Sequence, residues 1–135
     1  MAVRHIILAS HHKFAAGLAD TIEFIGGISE FDVICAYVDE TPLDVQVKVL
    51  FDGYGVNDEV LILTDIMQGS VNQAFAPYMN GHVFLVSGVN VACALELVLT
   101  PEPLTYDAIE EVLVEARNSM QLMNRVAIEA AEGDE

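Results

Sequence analysis

The sequence predicts an α/β fold: one domain over residues 1–135 whose doubly wound, mainly parallel sheet has the strand order 2-1-3-4. Three observations carry that expectation. Four short β-branched or aromatic apolar runs recur along the chain, each is followed by a longer segment with helical spacing, and 53% of the residues are apolar despite a net charge of -16. Strands that alternate with helices pair in parallel, because a parallel connection needs a crossover long enough to hold a helix.

The elements follow in order. The first strand is expected at Arg4–Ala9, and the helix after it starts near Lys13, with Phe14, Leu18, Ile22 and Ile25 on one stripe and Gly26-Gly27 as its stop. The second strand spans Asp32–Val38. Pro42 opens the second helix, where Leu43, Val47, Leu50 and Phe51 recur at helical spacing before the glycine-rich turn Asp52–Gly55. Val60–Thr64 forms the third strand, and a helix from Ser70 to Met79 ends at Asn80-Gly81. His82–Ser87 is the fourth strand, followed by a helix from Asn90 to Leu99 that Pro101 and Pro103 stop. The last helix runs from Tyr106 to about Met120, with acidic residues in its first turn. The acidic end Glu132–Glu135 reads as a frayed tail.

Composition excludes several functions. Five Lys and Arg, scattered at Arg4, Lys13, Lys48, Arg117 and Arg125, give no basic footprint for nucleic acid or for an anionic membrane surface. No apolar run reaches the roughly 20 residues that span a bilayer, so a soluble, cytoplasmic chain without direct membrane insertion is expected. Cys35 and Cys93 lie inside apolar stretches and read as reduced core residues. A Walker loop is absent, and Gly53-Tyr54-Gly55 precedes a strand and lacks the third glycine of a dinucleotide loop.

In an open α/β sheet, ligands bind beyond the carboxyl ends of the strands at the switch point, which this strand order places between strands one and three. There, His11 and Asp65 face each other. A carboxylate that accepts from one imidazole nitrogen fixes the ring and aims the other as a basic lone pair, fit for a general base, a metal ligand or a nucleophile toward phosphorus. Backbone N–H groups after His11 and at Gly69-Ser70, with the hydroxyls of Ser10 and Ser70, would make an anion site without a lysine. Taken singly, each residue has a plainer reading: His11 as a polar loop residue, Asp65 and Ser70 as turn and helix cap, Gly69 as a turn glycine. Zinc on His11, His12 and Asp65 is disfavoured because adjacent histidines diverge and no cysteine is near. His5, within strand one, and His82, in a turn, are not site candidates.

Three blocks resemble a known family in its own order: Ile6–His11 with Phe14–Leu18, Leu63–Asp65 with Gly69–Asn72, and Val86–Asn90 with the Leu95–Leu97 helix. Together they are similar to the enzyme IIA component of the mannose-type (mannose/fructose/sorbose) phosphoenolpyruvate-dependent sugar phosphotransferase system. The resemblance implies a phosphohistidine carrier. His11 would take a phosphoryl group from HPr and pass it to a IIB domain or subunit, with Asp65 orienting the ring and Ser70 and nearby amides holding the phosphoryl oxygens. No cofactor or metal is implied. Two positions depart from the family's usual pattern: His12 stands where glycine is common, and Gln68-Gly69-Ser70 replaces Gly-Gly-Ser.

An apolar rim of Phe14, Ile66 and Met67 is expected to serve transient docking. The family also forms homodimers in which a segment after the last long helix joins the partner's sheet. Met120 and Leu122 could supply an exchanged strand, or Met120, Met123 and Val126 could extend the helix. Two alternatives stay open: the related carrier domain that serves dihydroxyacetone kinase, and a regulatory module that keeps the fold without turnover.

Overall fold

A computed structural model describes residues 3–133. Its four strands, β1 (Arg4–His11), β2 (Asp32–Ala36), β3 (Glu59–Thr64) and β4 (Val83–Ser87), form one sheet in the order β2-β1-β3-β4. All three pairings are parallel, with His11 opposite Ala36 and Ala9 opposite Thr64 at the carboxyl edge. Helices α1 (Phe14–Gly26), α2 (Leu43–Asp52), α3 (Ser70–Phe75), α4 (Val91–Leu99), α5 (Tyr106–Arg117) and α6 (Met123–Gly133) complete the chain.

Side-chain alternation along each strand divides the core in two. Ile6 and Leu8 of β1 and Leu61 and Leu63 of β3 pack with Leu18 and Ile22 of α1, Leu97 of α4 and Ile109 of α5. Ile7 and Ala9, with Val60 and Ile62, face the other way onto Val47 of α2 and Val71 and Phe75 of α3. These strands are covered on both faces, and for that reason their sequences read as continuous apolar runs. One consequence reaches the site: His11 falls on the α2–α3 side and Ser10 on the opposite side.

Several boundaries differ from the sequence expectation. Strand β1 extends two residues further, to His11, and β2 stops at Ala36 because Tyr37 turns into the left-handed region at φ 69°. The third helix breaks after Phe75. Pro77 has no N–H to give the next α-helical bond, and the chain tightens into a 3₁₀ turn over Ala76–Tyr78. On α1 the buried stripe is Ala15, Leu18 and Ile22, which leaves Phe14 and Ile25 exposed. After α5 the chain neither continues as one helix nor forms a fifth strand among the described residues. A turn beginning at Asn118 separates α5 from α6, and α6 buries no residue. Glu132 and Gly133 belong to α6, while Asp134 and Glu135 lie outside the described residues.

Both cysteines are free, Cys93 buried in α4 and Cys35 half-buried in β2, and burial pushes the Cys93 thiol up, which keeps it protonated and unreactive. At the amino edge of the sheet, Arg4 Nε donates to Glu59 at 2.6 Å and Nη1 donates to the Thr100 carbonyl at 2.5 Å. The other Glu59 oxygen accepts from the Leu104 N–H at 2.7 Å. This pairing ties the link between α4 and α5 to the two central strands.

Candidate active site

The carboxyl edge of the sheet assembles the site. The ladder register between β1 and β3 ends at Ala9 and Thr64, and beyond it the side chain of the next residue, Asp65, takes over. Its Oδ2 accepts the His11 backbone N–H at 2.9 Å and lies 3.1 Å from His11 Nδ1, with Oδ1 3.4 Å away. The carboxylate is an acceptor only, so Nδ1 carries the ring proton and donates it. That leaves Nε2 as the free lone pair. The His11 side chain is 35% exposed and that of Asp65 14%, so the aspartate is the more sheltered of the two and the ring stays open to solvent.

Gly69 lies beside that free nitrogen. A β-carbon at this position would lie 3.0 Å from His11 Cε1 and 3.2 Å from Nε2, and its φ of 151° belongs to a region that side chains disfavour. The backbone entering α3 therefore approaches the imidazole as only glycine allows. The loop that carries Asp65 is held by a short relay: buried Thr64 Oγ1 donates to Asn72 Oδ1 at 2.5 Å, and Asn72 Nδ2 donates to the Met67 carbonyl at 2.7 Å. Asn72 thus fixes the loop's path and the start of α3 together.

Ser70 opens α3 with Gly69 as its cap residue and no side chain capping the first turn. Its hydroxyl bonds that of Tyr37, whose ring lies 5.9 Å from the His11 ring at 38° between planes. Tyr37 was not singled out from the sequence. Its position one residue beyond Ala36, the register partner of His11, is legible only once the pairing of β1 and β2 is known.

Ser10 requires a correction. It is fully buried, donates to the His12 carbonyl at 2.9 Å and accepts the Ala15 N–H at 2.7 Å. Strand alternation turns it away from His11, and it caps the first turn of α1 in place of holding an anion. His12 is exposed at φ 56°, with its N–H on the Ala36 carbonyl at 2.8 Å. In the segments that follow β1, β2 and β3, the side chains of Phe14, Tyr37, Val38, Ile66 and Met67 are exposed.

A parallel α/β sheet in the order 2-1-3-4, with an aspartate-paired histidine at its switch point, sets the class of fold and site. Within it, residues 5–114 match the family described as the PTS system fructose IIA component, and the chain belongs to that family. A solved candidate permease of the phosphoenolpyruvate-dependent sugar phosphotransferase system (PTS) from Klebsiella pneumoniae is 36% identical over 93% of this chain and 95% of its own, with a TM-score of 0.85. The PTS IIA protein associated with the fucose utilization operon of Streptococcus pneumoniae is 27% identical over 94% of this chain and 99% of its own, with a TM-score of 0.74. At 20% identity over 90% of this chain and 95% of its own, the mannose/sorbose-specific IIA subunit from Enterococcus faecalis shares the fold, with a TM-score of 0.74. No curated protein matches the chain. The protein is a sugar phosphotransferase system component of the IIA type.

Proposed function

We propose that this chain is a cytoplasmic phosphoryl carrier that accepts phosphate from phospho-HPr on His11 Nε2 and delivers it to a IIB domain or subunit during sugar uptake. The observation that carries the reading is the pairing of an Asp65-oriented Nδ1 with an Nε2 left open beside Gly69. In the transfer, the N–P bond of the donor phosphohistidine breaks and its electron pair stays on the donor nitrogen. The donor ring, protonated on its other nitrogen, is left as neutral imidazole. The His11 Nε2 lone pair forms the new N–P bond, and the positive charge that develops on its ring is offset by Asp65 through the retained Nδ1 proton. Phosphoryl transfer of this kind has a loose transition state, so positioning and charge do most of the catalysis.

In this reading Ser70 and the backbone at Gly69 would meet the phosphoryl oxygens. The exposed rim of Phe14, Ile66 and Met67 suits partners that dock briefly and leave. Acceptance from HPr and delivery to IIB each need a second group in line with His11 Nε2, which the partly exposed ring permits. No described helix is long and apolar enough to cross a membrane.

Homodimerisation is part of the same proposal. Strand β4 is a sheet edge, and a groove of about 600 Å³ runs beside it along α5, lined by Phe84, Val86, Ile109 and Leu113. Met120, Leu122 and Met123, all exposed, supply apolar residues for a partner's groove.

The test is incubation with enzyme I, HPr and phosphoenolpyruvate, read by mass spectrometry. One acid-labile phosphoryl group per chain is expected, and its loss in His11→Ala. No mass gain on the wild type, or an undiminished gain on His11→Ala, overturns the reading.

A further inference from the structure

The segment after β2 holds a side chain, Tyr37, that touches the site and that the carrier reading leaves unused. Tyr37 has a positive φ of 69°, which bulky residues rarely adopt, and such strain persists only where the surroundings enforce it. Here the conformation brings the ring alongside His11, at 5.9 Å between centroids, and the phenol to the Ser70 hydroxyl at the start of α3. Ser70 directly follows Gly69, where a β-carbon would come within 3.2 Å of Nε2. The side chain therefore bridges the ends of β2 and α3 across the edge of the imidazole, although more than half of it is exposed and little apolar burial holds it there.

We infer that Tyr37 is a positioning residue of the His11 site, which orients the Ser70 hydroxyl so that its proton points at a phosphoryl oxygen on Nε2. The reasoning is one of donors and acceptors. Each of the two hydroxyls has one proton, and either can donate while the site is empty. A phosphoryl group offers acceptors only. Once it is present, Ser70 donates to it and Tyr37 donates to Ser70 Oγ, a chain in which each bond polarises and strengthens the next. No bond to phosphorus involves Tyr37, so it acts through Ser70 and on the stability of the phosphorylated state. With no Lys or Arg at the site's hydrogen bonds, neutral donors of this kind carry a larger share of the charge stabilisation.

This inference rests on the carrier reading, and the experiment separates the two. Wild type, Tyr37→Phe, Ser70→Ala and the double variant are phosphorylated from phospho-HPr, and the rate of acceptance, the lifetime of the phosphohistidine and its ³¹P chemical shift are measured. Tyr37→Phe keeps the ring and the backbone strain and removes only the hydroxyl. The expected result is an about three- to tenfold shorter lifetime or slower acceptance in Tyr37→Phe, the size of one hydrogen bond, together with a moved ³¹P resonance. The double variant should be no worse than Ser70→Ala alone, since Tyr37 works through that hydroxyl. Phosphorylation of the wild type with an unchanged Tyr37→Phe, or losses that simply multiply in the double variant, overturns the role of Tyr37 and leaves the carrier reading standing. A wild type that takes no phosphate overturns both.

Discussion

Strand β1 carries a histidine–aspartate pair at each end, and only one of them has the makings of a site. At the amino end, His5 Nε2 lies 2.7 Å from Asp58 Oδ2, a shorter contact than that between His11 and Asp65. The difference lies in what surrounds each pair. The His5 ring is stacked on Tyr54 at 3.8 Å, and Asp58 also accepts the backbone N–H groups of Val3 and Gly55. These bonds, that to His5 foremost, hold the Asp58 carboxyl down at about 2. Tyr54 in turn donates to Asp32 at 2.5 Å, and burial first, then that aspartate, raises its phenol far above its ordinary range. His82 Nδ1 faces the Asp58 carbonyl at 2.9 Å. The amino-end pair is thus a structural clasp that closes the turn before β3. The carboxyl-end pair is looser, presents its second nitrogen, and has a glycine backbone against that nitrogen. A short hydrogen bond between histidine and aspartate therefore does not by itself distinguish a candidate site from a structural clasp.

The sharpest test of that contrast is to remove each histidine in turn. His11→Ala should abolish phosphoryl acceptance with an unchanged melting temperature. His5→Ala should keep acceptance within about twofold while it lowers stability by about 1–3 kcal/mol, through the lost stacking and hydrogen bond. Phosphorylation assays paired with thermal melts read both effects, and equal loss of activity in the two variants would erase the distinction between the poles.

Asp65→Asn keeps the shape but replaces an acceptor-only group with one that can hold the wrong tautomer. Acceptance should fall by roughly 10²–10⁴-fold, as when the orienting carboxylate of a catalytic histidine is lost. NMR titration of the ring nitrogens would report the tautomer directly. Gly69→Ala places a methyl group 3.0 Å from His11 Cε1 in a strained backbone region. It should cost about 1–3 kcal/mol of stability and slow transfer in the same variant, because the strain and the displaced imidazole share one cause.

The smallest effect belongs to the clasp. Asp58, at about 2, lies below the ordinary aspartate value of about 3.9, so its contribution to stability is complete above that value and is lost as pH falls toward 2. Asp58→Asn should therefore flatten the decline in melting temperature between about pH 4 and 2 and leave phosphoryl acceptance untouched. A variant that loses stability as steeply as the wild type over that interval would remove Asp58 from the clasp.

Much of the fold was legible from pattern because the sheet is buried on both faces. Ile6–Ala9 and Val60–Leu63 are unbroken apolar runs, and those runs located the central strands within a residue or two of their observed starts. His11 and Asp65 were legible for a related reason: a switch point is a property of strand order, and strand order predicts which strand ends meet. Ser10 was misread because the side of a strand on which a residue falls depends on where the strand stops. With β1 ending at His11, Ser10 points into the core above α1. Tyr37 was missed because its relation to His11 runs through the register of two strands 25 residues apart, counted from His11 to Ala36, and through a backbone angle that sequence does not display.

By itself, then, the sequence determined the alternation of strand and helix, the parallel sheet and the identity of the histidine and aspartate at its switch point, since hydropathy periodicity and chain connectivity dictate these locally. Tertiary structure alone decided which nitrogen of His11 Asp65 engages, that Ser10 is buried away from the ring, and that of two histidine–aspartate pairs on one strand the carboxyl-end histidine is the more exposed. Each of those outcomes depends on distances of a few ångströms between segments far apart in the chain, where hydrogen bonds and close packing act and periodicity carries no information.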